Sequence, residues 1–280
     1  MAIIDAHHHV WDLSIRDQSW ITGPELSPLR RNFALADLEP HTRAAGVDRT
    51  IVVQTITVDE ETPELLALAA GSELVAGVVG WTDLTARDIS DELAWLREQP
   101  GGDWLRGIRH QVQSEPDPRW IHGPDVLRGL RAVAAAGLAY DLVILPHQMP
   151  AATIAARRVP ELTFVLDHLG KPPVAAEELK PWAEKVRSFA ARPNTVCKLS
   201  GLVTEADWQT WTVASLWPYV DTVLEAFGPQ RLMFGSDWPV CTLAAEYAEV
   251  VETTNTLLTG LSDDERRDIW SGTAARVYGL

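Results

Sequence analysis

AIIDAHHH, residues 2–9, is the stretch that decides the fold: a short apolar run that ends in three consecutive histidines. Such a run is typical of a strand that is buried on both faces of a parallel sheet. Side chains alternate along a strand, so His7 and His9 point to one side and His8 to the other. Two imidazoles on one side of a strand end can reach the same metal ion, although they can also simply pack or form hydrogen bonds. Residues elsewhere in the sequence are needed to distinguish metal binding from packing or hydrogen bonding.

Seven further apolar runs succeed the first, and each is followed by a helix-like segment. We expect strands near residues 2–7, 49–55, 74–81, 105–111, 139–145, 162–168, 194–200 and 231–237. We expect helices near residues 34–45, 61–71, 88–98, 123–136, 148–157, 176–192, 208–227 and 244–259, with a last helix near 262–270 that closes the barrel. Eight strand–helix units predict a (β/α)8 TIM barrel of the α/β class, in one domain over residues 1–280. The main alternative, an open doubly wound sheet, usually has roughly five or six strands and a GxGxxG motif after the first.

The composition limits the class of partner. The chain has 24 basic and 39 acidic residues, and the resulting net charge of −15 repels nucleic acids and anionic membranes. Its two cysteines, Cys197 and Cys241, are too few for a disulfide scaffold. The sequence has no apolar stretch of membrane-spanning length and no signal-peptide pattern at its start. These features predict a cytoplasmic protein that acts on a small molecule, and they leave open whether its copies form a homo-oligomer.

Polar residues at two later strand ends change the interpretation of the first histidines. His168 follows the sixth predicted strand and Asp237 follows the eighth. In a barrel the carboxyl ends of all strands meet at one rim, so these residues become neighbours of His7 and His9. Buried titratable groups cost free energy unless they are paired or coordinated. The sequence therefore predicts that these four side chains form one site.

Five motifs carry a resemblance to a known family. They are DAHHHVWD at 5–12, GIRHQ at 107–111, LDHLGKP at 166–172, CKLSGL at 197–202 and FGSDWP at 234–239. Together they resemble the amidohydrolase superfamily, and more narrowly its sugar-lactonase branch of L-fuconolactonases, L-rhamnonolactonases and 2-pyrone-4,6-dicarboxylate lactonases. The resemblance runs over essentially the whole chain. It implies a hydrolase that binds one divalent ion, zinc or manganese, through His7, His9, His168 and Asp237. Some members of this branch act without a metal, so metal-free catalysis stays open.

Two strands depart from the pattern of binuclear relatives. The fourth carries Arg109 and His110 where those relatives have a carboxylated lysine, so a second metal is not expected. The fifth is followed by His147, which either contacts substrate or metal or faces solvent. Arg109 can bind a carbonyl or a carboxylate in bidentate fashion, or pair with one of the many acids. Since neighbours on a strand face opposite ways, only one of Arg109 and His110 points straight inward.

Lactone hydrolysis needs an activated water, a polarised carbonyl and a proton for the departing alkoxide. Asp237 can take a proton from water and return it to the ring oxygen, which is general acid–base catalysis. The histidines then hold the ion or polarise the carbonyl directly. The predicted catalytic residues are Asp237, His168, Arg109 and His110.

Further side chains are candidates for substrate contact, each with a structural alternative. Gln54, Gln113 and Lys198 can bond sugar hydroxyls or serve the fold, and His147 is added for the reason above. Trp11, Trp81 and Trp238 follow strand ends and can form an apolar wall or pack under loops. His8, on the other face of its strand, is expected to pack or to support the site.

The preferred function is hydrolysis of an aldonolactone, such as an L-fucono-, L-rhamnono- or L-galactono-lactone, in sugar breakdown. One alternative is a metal-dependent decarboxylase of an aromatic or related acid on the same barrel. Another is a non-catalytic binding barrel, which the joint presence of the acid, the histidines and the arginine disfavours.

Overall fold

Eight parallel strands form a barrel in the computed structural model, which describes residues 2–280. Each strand pairs with the next, in the order β1 to β8. Two backbone hydrogen bonds close the ring, from His9 N to Trp238 O at 2.7 Å and from Asp237 N to His7 O at 2.8 Å. The strands are β1 Ile4–His8, β2 Arg49–Val53, β3 Val75–Gly80, β4 Leu105–His110, β5 Ala139–Leu142, β6 Phe164–Leu166, β7 Thr195–Leu199 and β8 Leu232–Phe234. The predicted TIM barrel is confirmed.

Helices surround the barrel and connect its strands. They are α1 Leu35–Ala45, α2 Glu61–Ala70, α3 Ile89–Glu98, α4 Pro124–Ala135, α5 Met149–Arg158, α6 Leu179–Ala190, α7 Leu202–Glu205, α8 Val213–Phe227, α9 Tyr247–Leu257, α10 Asp263–Arg267 and α11 Thr273–Tyr278. The helix expected at 208–227 begins only at Val213, because the Thr212 side chain accepts a hydrogen bond from Ser215 N and caps it there. Within residues 2–280, no helix combines the length and the apolar character that crossing a membrane requires.

The apolar core has two layers. The larger one lies between the sheet and the helices, and the smaller one fills the inside of the barrel. Ala274 and Tyr278 of α11 join the inner layer, so the last helix closes the end of the barrel where the strands begin. The inner layer also contains Ile4, Ala6, Ile51, Val53, Val79, Ala139, Val165, Val196 and Met233. Polar side chains are therefore left to the opposite end, where the strands finish.

Strand β1 contains an irregularity that aims the first histidines. Its register with β2 shifts by one residue between Asp5 and His8. Ala6 belongs to the inner core, yet the next residue, His7, also faces inward and lies within 3.2 Å of Lys198 Nζ. An extra residue of this kind re-aims the side chains that follow it. Asp5 consequently faces outward and accepts a hydrogen bond from the Tyr247 hydroxyl of α9.

Candidate active site

The four side chains predicted to form one site do lie together. His7 Nε2 and His9 Nε2 are 3.2 Å apart. Asp237 Oδ1 lies 3.8 Å from His7 Nε2, 3.7 Å from His9 Nε2 and 3.9 Å from His168 Nε2. All four residues are buried, with at most 5% of their surface exposed. Residues from β1, from the end of β6 and from the end of β8 thus converge on one point.

Two of the rings are held by neighbours that decide which nitrogen faces this point. His9 Nδ1 lies 2.7 Å from the carbonyl oxygen of Val53, which can only accept, so Nδ1 donates and Nε2 keeps its lone pair. His168 Nδ1 lies 2.9 Å from Ser200 Oγ. Partners of this kind fix the orientation of metal-binding imidazoles in proteins.

The donor set fits a divalent metal ion. A tetrahedral zinc ion with nitrogen and oxygen ligands at about 2.0–2.1 Å separates those ligands by about 3.3 Å. The separations measured around Asp237 Oδ1 and between His7 and His9 run from 3.2 to 3.9 Å. Ligand atoms of His7, His168 and Asp237 all lie within 4.8 Å of one another. Asp237 Oδ1 and the His9 Nε2 lone pair, 3.7 Å apart, are two acceptors that a cation between them would satisfy.

Burial sets the charge of these groups. It lowers the pKa of His9 to about 3 and that of His168 to about 4, and it lowers the pKa of His7 well below its usual value. The imidazoles are therefore neutral at pH 7, as metal ligands must be. Burial also raises the pKa of the Asp237 carboxyl, which the charges of Lys171 and Arg109 partly offset.

The backbone is strained where two of these residues stand. His168 has φ 52° and Asp237 has φ 60°, in the left-handed region that residues other than glycine seldom adopt. Each costs on the order of 1–3 kcal/mol and persists only where surrounding contacts enforce it. Those contacts include Lys171 N to His168 O at 2.7 Å and Asp237 N to His7 O at 2.8 Å. Strain of this kind clusters at functional sites.

Arg109 points inward, but protein groups already occupy its guanidinium. Its Nε donates to Gln54 Oε1 at 3.0 Å, its Nη2 donates to the same oxygen at 2.9 Å and to Gln54 O, and its Nη1 donates to Asp167 Oδ2 at 3.0 Å. Gln54 in turn donates from Nε2 to Ile56 O at 2.9 Å. Arg109 and Gln54 thus bond to each other, because two buried polar groups require partners.

Lys198 lies beneath the site rather than at its mouth, and two carboxylates engage its ammonium group. It is fully buried, and its Nζ donates to Asp141 Oδ2 and lies 3.1 Å from Asp167 Oδ1. The Tyr278 hydroxyl donates to Asp141 at 2.9 Å. Burial alone would raise the pKa of Asp167, but the charges of Lys198 and Arg109 outweigh it and hold that pKa well below its usual range.

His110 faces away from the convergence point. Its Nε2 lies 2.7 Å from Glu115 Oε1, its Nδ1 accepts from the Trp81 indole at 3.0 Å, and its ring stacks on Trp120 at 4.2 Å. Both nitrogens of His110 are thus engaged by protein groups, and His110 and Trp81 are each other's partners in a half-buried cluster.

The remaining predicted residues divide between packing and the rim. Trp11 and Trp238 are buried and both meet Phe33 edge to face, so they pack beneath the loop that follows β1. His8 is buried with Nε2 2.9 Å from Thr50 Oγ1, as a supporting residue would be. Gln113 is half-buried after β4, and His147 is exposed after β5.

Sequence reasoning assigned no role to four residues that build the site, Asp141, Asp167, Ser200 and Tyr278, and it expected Lys198 to bond a sugar hydroxyl or to serve the fold. Asp141 carries a charge inside the apolar run AYDLVIL, and Lys198 carries one inside NTVCKLS. Two opposite charges in strands predicted to be buried are a signal that the strands lie close enough to pair these charges. Asp167 and Ser200 each lie in a motif that carries the family resemblance, whereas nothing local pointed to Tyr278.

The barrel fold and the buried histidine–aspartate cluster agree with the protein family to which the sequence is related. The chain belongs to the amidohydrolase family, whose sequence profile, described as "Amidohydrolase", matches residues 4–280. It is 41% identical to an L-fucono-1,5-lactonase from Burkholderia multivorans over 288 aligned residues, which cover 99% of this chain and 96% of that one. It is also similar to a crystal structure of an amidohydrolase from the same species with bound zinc, with a TM-score of 0.94 and 40% identity over the whole of both chains. A 5-carboxyvanillate decarboxylase from Sphingomonas paucimobilis, 17% identical with a TM-score of 0.66 over 100% of this chain and 99% of that one, shares the fold.

Proposed function

We propose that this protein hydrolyses a sugar-derived lactone to its sugar acid, with L-fucono-1,5-lactone as the first substrate to test. The observation that carries the proposal is the buried cluster of three neutral imidazoles around the Asp237 carboxylate. The relative named L-fucono-1,5-lactonase supports the substrate class, since it is similar over nearly its whole length. We also propose that residues 1–280 act as one barrel domain.

We propose that the resident ion is zinc, held by His7, His9, His168 and Asp237. Three imidazole nitrogens and one carboxylate oxygen suit zinc better than manganese, which prefers oxygen ligands. When bound, such an ion supplies Lewis-acid polarisation of a carbonyl oxygen. The zinc found in the similar crystal structure supports this choice.

In our proposal Asp237 is the general base and then the general acid. It takes the proton from the attacking water and returns it to the ring oxygen as the carbon–oxygen bond breaks. His168, held by Ser200, keeps its Nε2 3.9 Å from the same carboxylate.

Arg109 is proposed to position these groups, since its donors are held by Gln54 and Asp167. Gln113 and His147 remain the proposed substrate contacts. Neither side chain has a hydrogen-bond partner within residues 2–280, and both follow strand ends at the rim. A sugar ring with several hydroxyls would offer such partners.

Proton release from a lactone panel tests the proposal. We expect turnover of L-fucono-1,5-lactone or of a related L-rhamnono- or L-galactono-lactone. Asp237→Asn should lower kcat about 10²–10⁴-fold with the fold intact. Asp221→Asn, an exposed aspartate on α8, is the matched control and should keep the rate of the unchanged protein. An active Asp237→Asn variant would remove the proposed mechanism, and carbon dioxide release from 5-carboxyvanillate without lactone turnover would favour the decarboxylase alternative.

A further inference from the structure

Each nitrogen of the His7 ring lies between a hydrogen-bond donor and a hydrogen-bond acceptor. Nδ1 is 3.2 Å from the Lys198 ammonium and 3.4 Å from Asp167 Oδ1. Nε2 is 3.3 Å from the Arg109 guanidinium and 3.2 Å from His9 Nε2. An ammonium and a guanidinium can only donate, and a carboxylate can only accept. His9 Nε2 also accepts, because His9 Nδ1 donates to Val53 O.

One tautomer of His7 satisfies the two shorter contacts. If its proton is on Nε2, then Nδ1 accepts from Lys198 and Nε2 donates to His9. This arrangement links the imidazoles to each other without a cation. The Lys198 ammonium lies 3.1 Å from Asp167 Oδ1, which is fully buried, but in this tautomer that oxygen has no hydrogen-bond partner among residues 2–280.

The other tautomer satisfies the remaining two contacts. With its proton on Nδ1, His7 donates to Asp167 Oδ1 and gives that oxygen the partner it lacks. The Nε2 lone pair is then free to accept from Arg109 or to bind a metal ion beside Asp237. Lys198 loses its hydrogen bond to Nδ1 but keeps the one to Asp141.

We propose that Lys198 and Asp167 are positioning residues that compete for Nδ1 of His7 and so set two forms of the site, one without metal and one ready to bind it. Lys198 stabilises the Nε2–H form, in which the histidines bond to each other. Asp167 stabilises the Nδ1–H form, in which Nε2 is a ligand. Metal binding moves one proton from Nε2 to Nδ1 of the same ring, so this step neither takes up nor releases a proton. The inference rests on the proposed metal site but not on the identity of the lactone.

Nitrogen-15 NMR of histidine-labelled protein measures the tautomer directly. Signals of His7 are assigned by their loss in His7→Gln. We expect His7 to carry its proton on Nε2 in protein treated with a chelator, and on Nδ1 after zinc chloride is added. Finding the Nδ1–H form in the chelator-treated protein would overturn the proposal.

Variants on the two sides of Nδ1 should act in opposite directions. Lys198→Met should shift the metal-free His7 ring to its Nδ1–H form and raise zinc affinity about tenfold. Asp167→Asn should lower zinc affinity by about tenfold or more, as the loss of groups that support a metal ligand commonly does. Lys198→Met leaves the buried Asp141 carboxylate without its cation, which can prevent folding. The double variant Lys198→Met with Asp141→Asn removes one charge of each sign and replaces the single variant in these measurements if the single variant does not fold. An unchanged tautomer in whichever of these Lys198 variants folds would overturn the proposal.

Tyr278→Phe is the matched control for general disturbance of the buried network. It removes the hydroxyl on the far side of Asp141 without touching His7, so the tautomer should stay that of the unchanged protein. A shift equal to that of Lys198→Met would show that any disturbance moves the proton, and would overturn the specific role of Lys198. These readouts do not depend on turnover, so an absence of lactone hydrolysis would count against the proposed function alone.

Discussion

Gly235 and His7 are in such close contact that a Cβ atom at position 235 would lie 2.7 Å from the Cβ of His7. The same atom would lie 3.1 Å from Ser200 Cβ. Gly235 follows β8 and donates its backbone N–H to Leu199 O at 3.1 Å, so it is held to the neighbouring strand and cannot withdraw. The missing side chain is what allows the end of β8 to lie beside the first histidine.

Gly235→Ala should therefore displace His7 and damage the site more than the fold. We expect zinc affinity and kcat each to fall at least tenfold, because displacements near 1 Å at such a site commonly cost that much or more. Isothermal titration with zinc and the lactone assay measure the two effects. Gly260→Ala is the control, since a Cβ there meets nothing within 4 Å and its backbone is not left-handed. Equal behaviour of the two variants would contradict this role of Gly235.

Ser200→Ala should loosen His168. The Ser200 hydroxyl lies 2.9 Å from His168 Nδ1 and accepts from His168 N at 3.3 Å. Loss of a partner of this type lowers metal affinity about 10–100-fold. Zinc titration should show that decrease while the unfolding midpoint in urea changes little. A variant with full zinc affinity would mean that the strained backbone alone orients the ring.

Two buried tyrosines provide a paired test of the Asp141 network. The Tyr278 hydroxyl donates to Asp141, whereas the Tyr140 hydroxyl has no hydrogen-bond partner within residues 2–280. Tyr278→Phe should cost about 1.5–3 kcal/mol in the free energy of unfolding, the usual value for a hydrogen bond to a charged group. Tyr140→Phe should be neutral or stabilising, because it removes an unpaired polar atom. Urea unfolding measures both, and a larger loss for Tyr140→Phe would contradict the assignment of these hydroxyls.

His8 should make the metal-free protein sensitive to acid. Burial lowers the pKa of His8 to about 3 from the value of 6.5 that applies when the chain is unfolded. Between pH 6.5 and pH 3, the unfolded state binds a proton at His8 that the folded state does not bind. The stabilising effect of neutral His8 is therefore present above pH 6.5 and is lost as the pH falls towards 3. As the pH falls from 7.5 to 4.5, the titration of His8 lowers the free energy of unfolding by about 3 kcal/mol.

His8→Gln should lose less stability over that range, since glutamine does not titrate and can still bond to Thr50. The comparison uses urea unfolding of chelator-treated protein at pH 7.5 and 4.5. His147→Gln, which replaces an exposed ring, should keep the pH dependence of the unchanged protein. The same loss in His8→Gln and in the unchanged protein would show that other buried groups dominate.

Much of the site could be predicted because it depends on local pattern and on one property of barrels. Strand periodicity indicated that His7 and His9 share a face, and convergence of strand ends at one rim brought in His168 and Asp237. Roles that depend on pairing could not be predicted in the same way. Arg109 had two open interpretations in the sequence, and contacts with Gln54 and Asp167 decide between them.

The amino-acid sequence alone determined the eight-stranded barrel, the end of the barrel that carries the site and the four side chains that meet there, because each follows from short-range periodicity. Only the tertiary structure decided that β1 gains a residue before His7, that Lys198 lies under that ring, and that His110 turns away to Glu115. The reason is physical: strand period is a property of neighbouring residues, whereas the partner of a buried charge depends on which strands lie across the barrel from it. Lys198 and Asp141, 57 positions apart in the chain, become an ion pair only after β5 and β7 have both paired with β6.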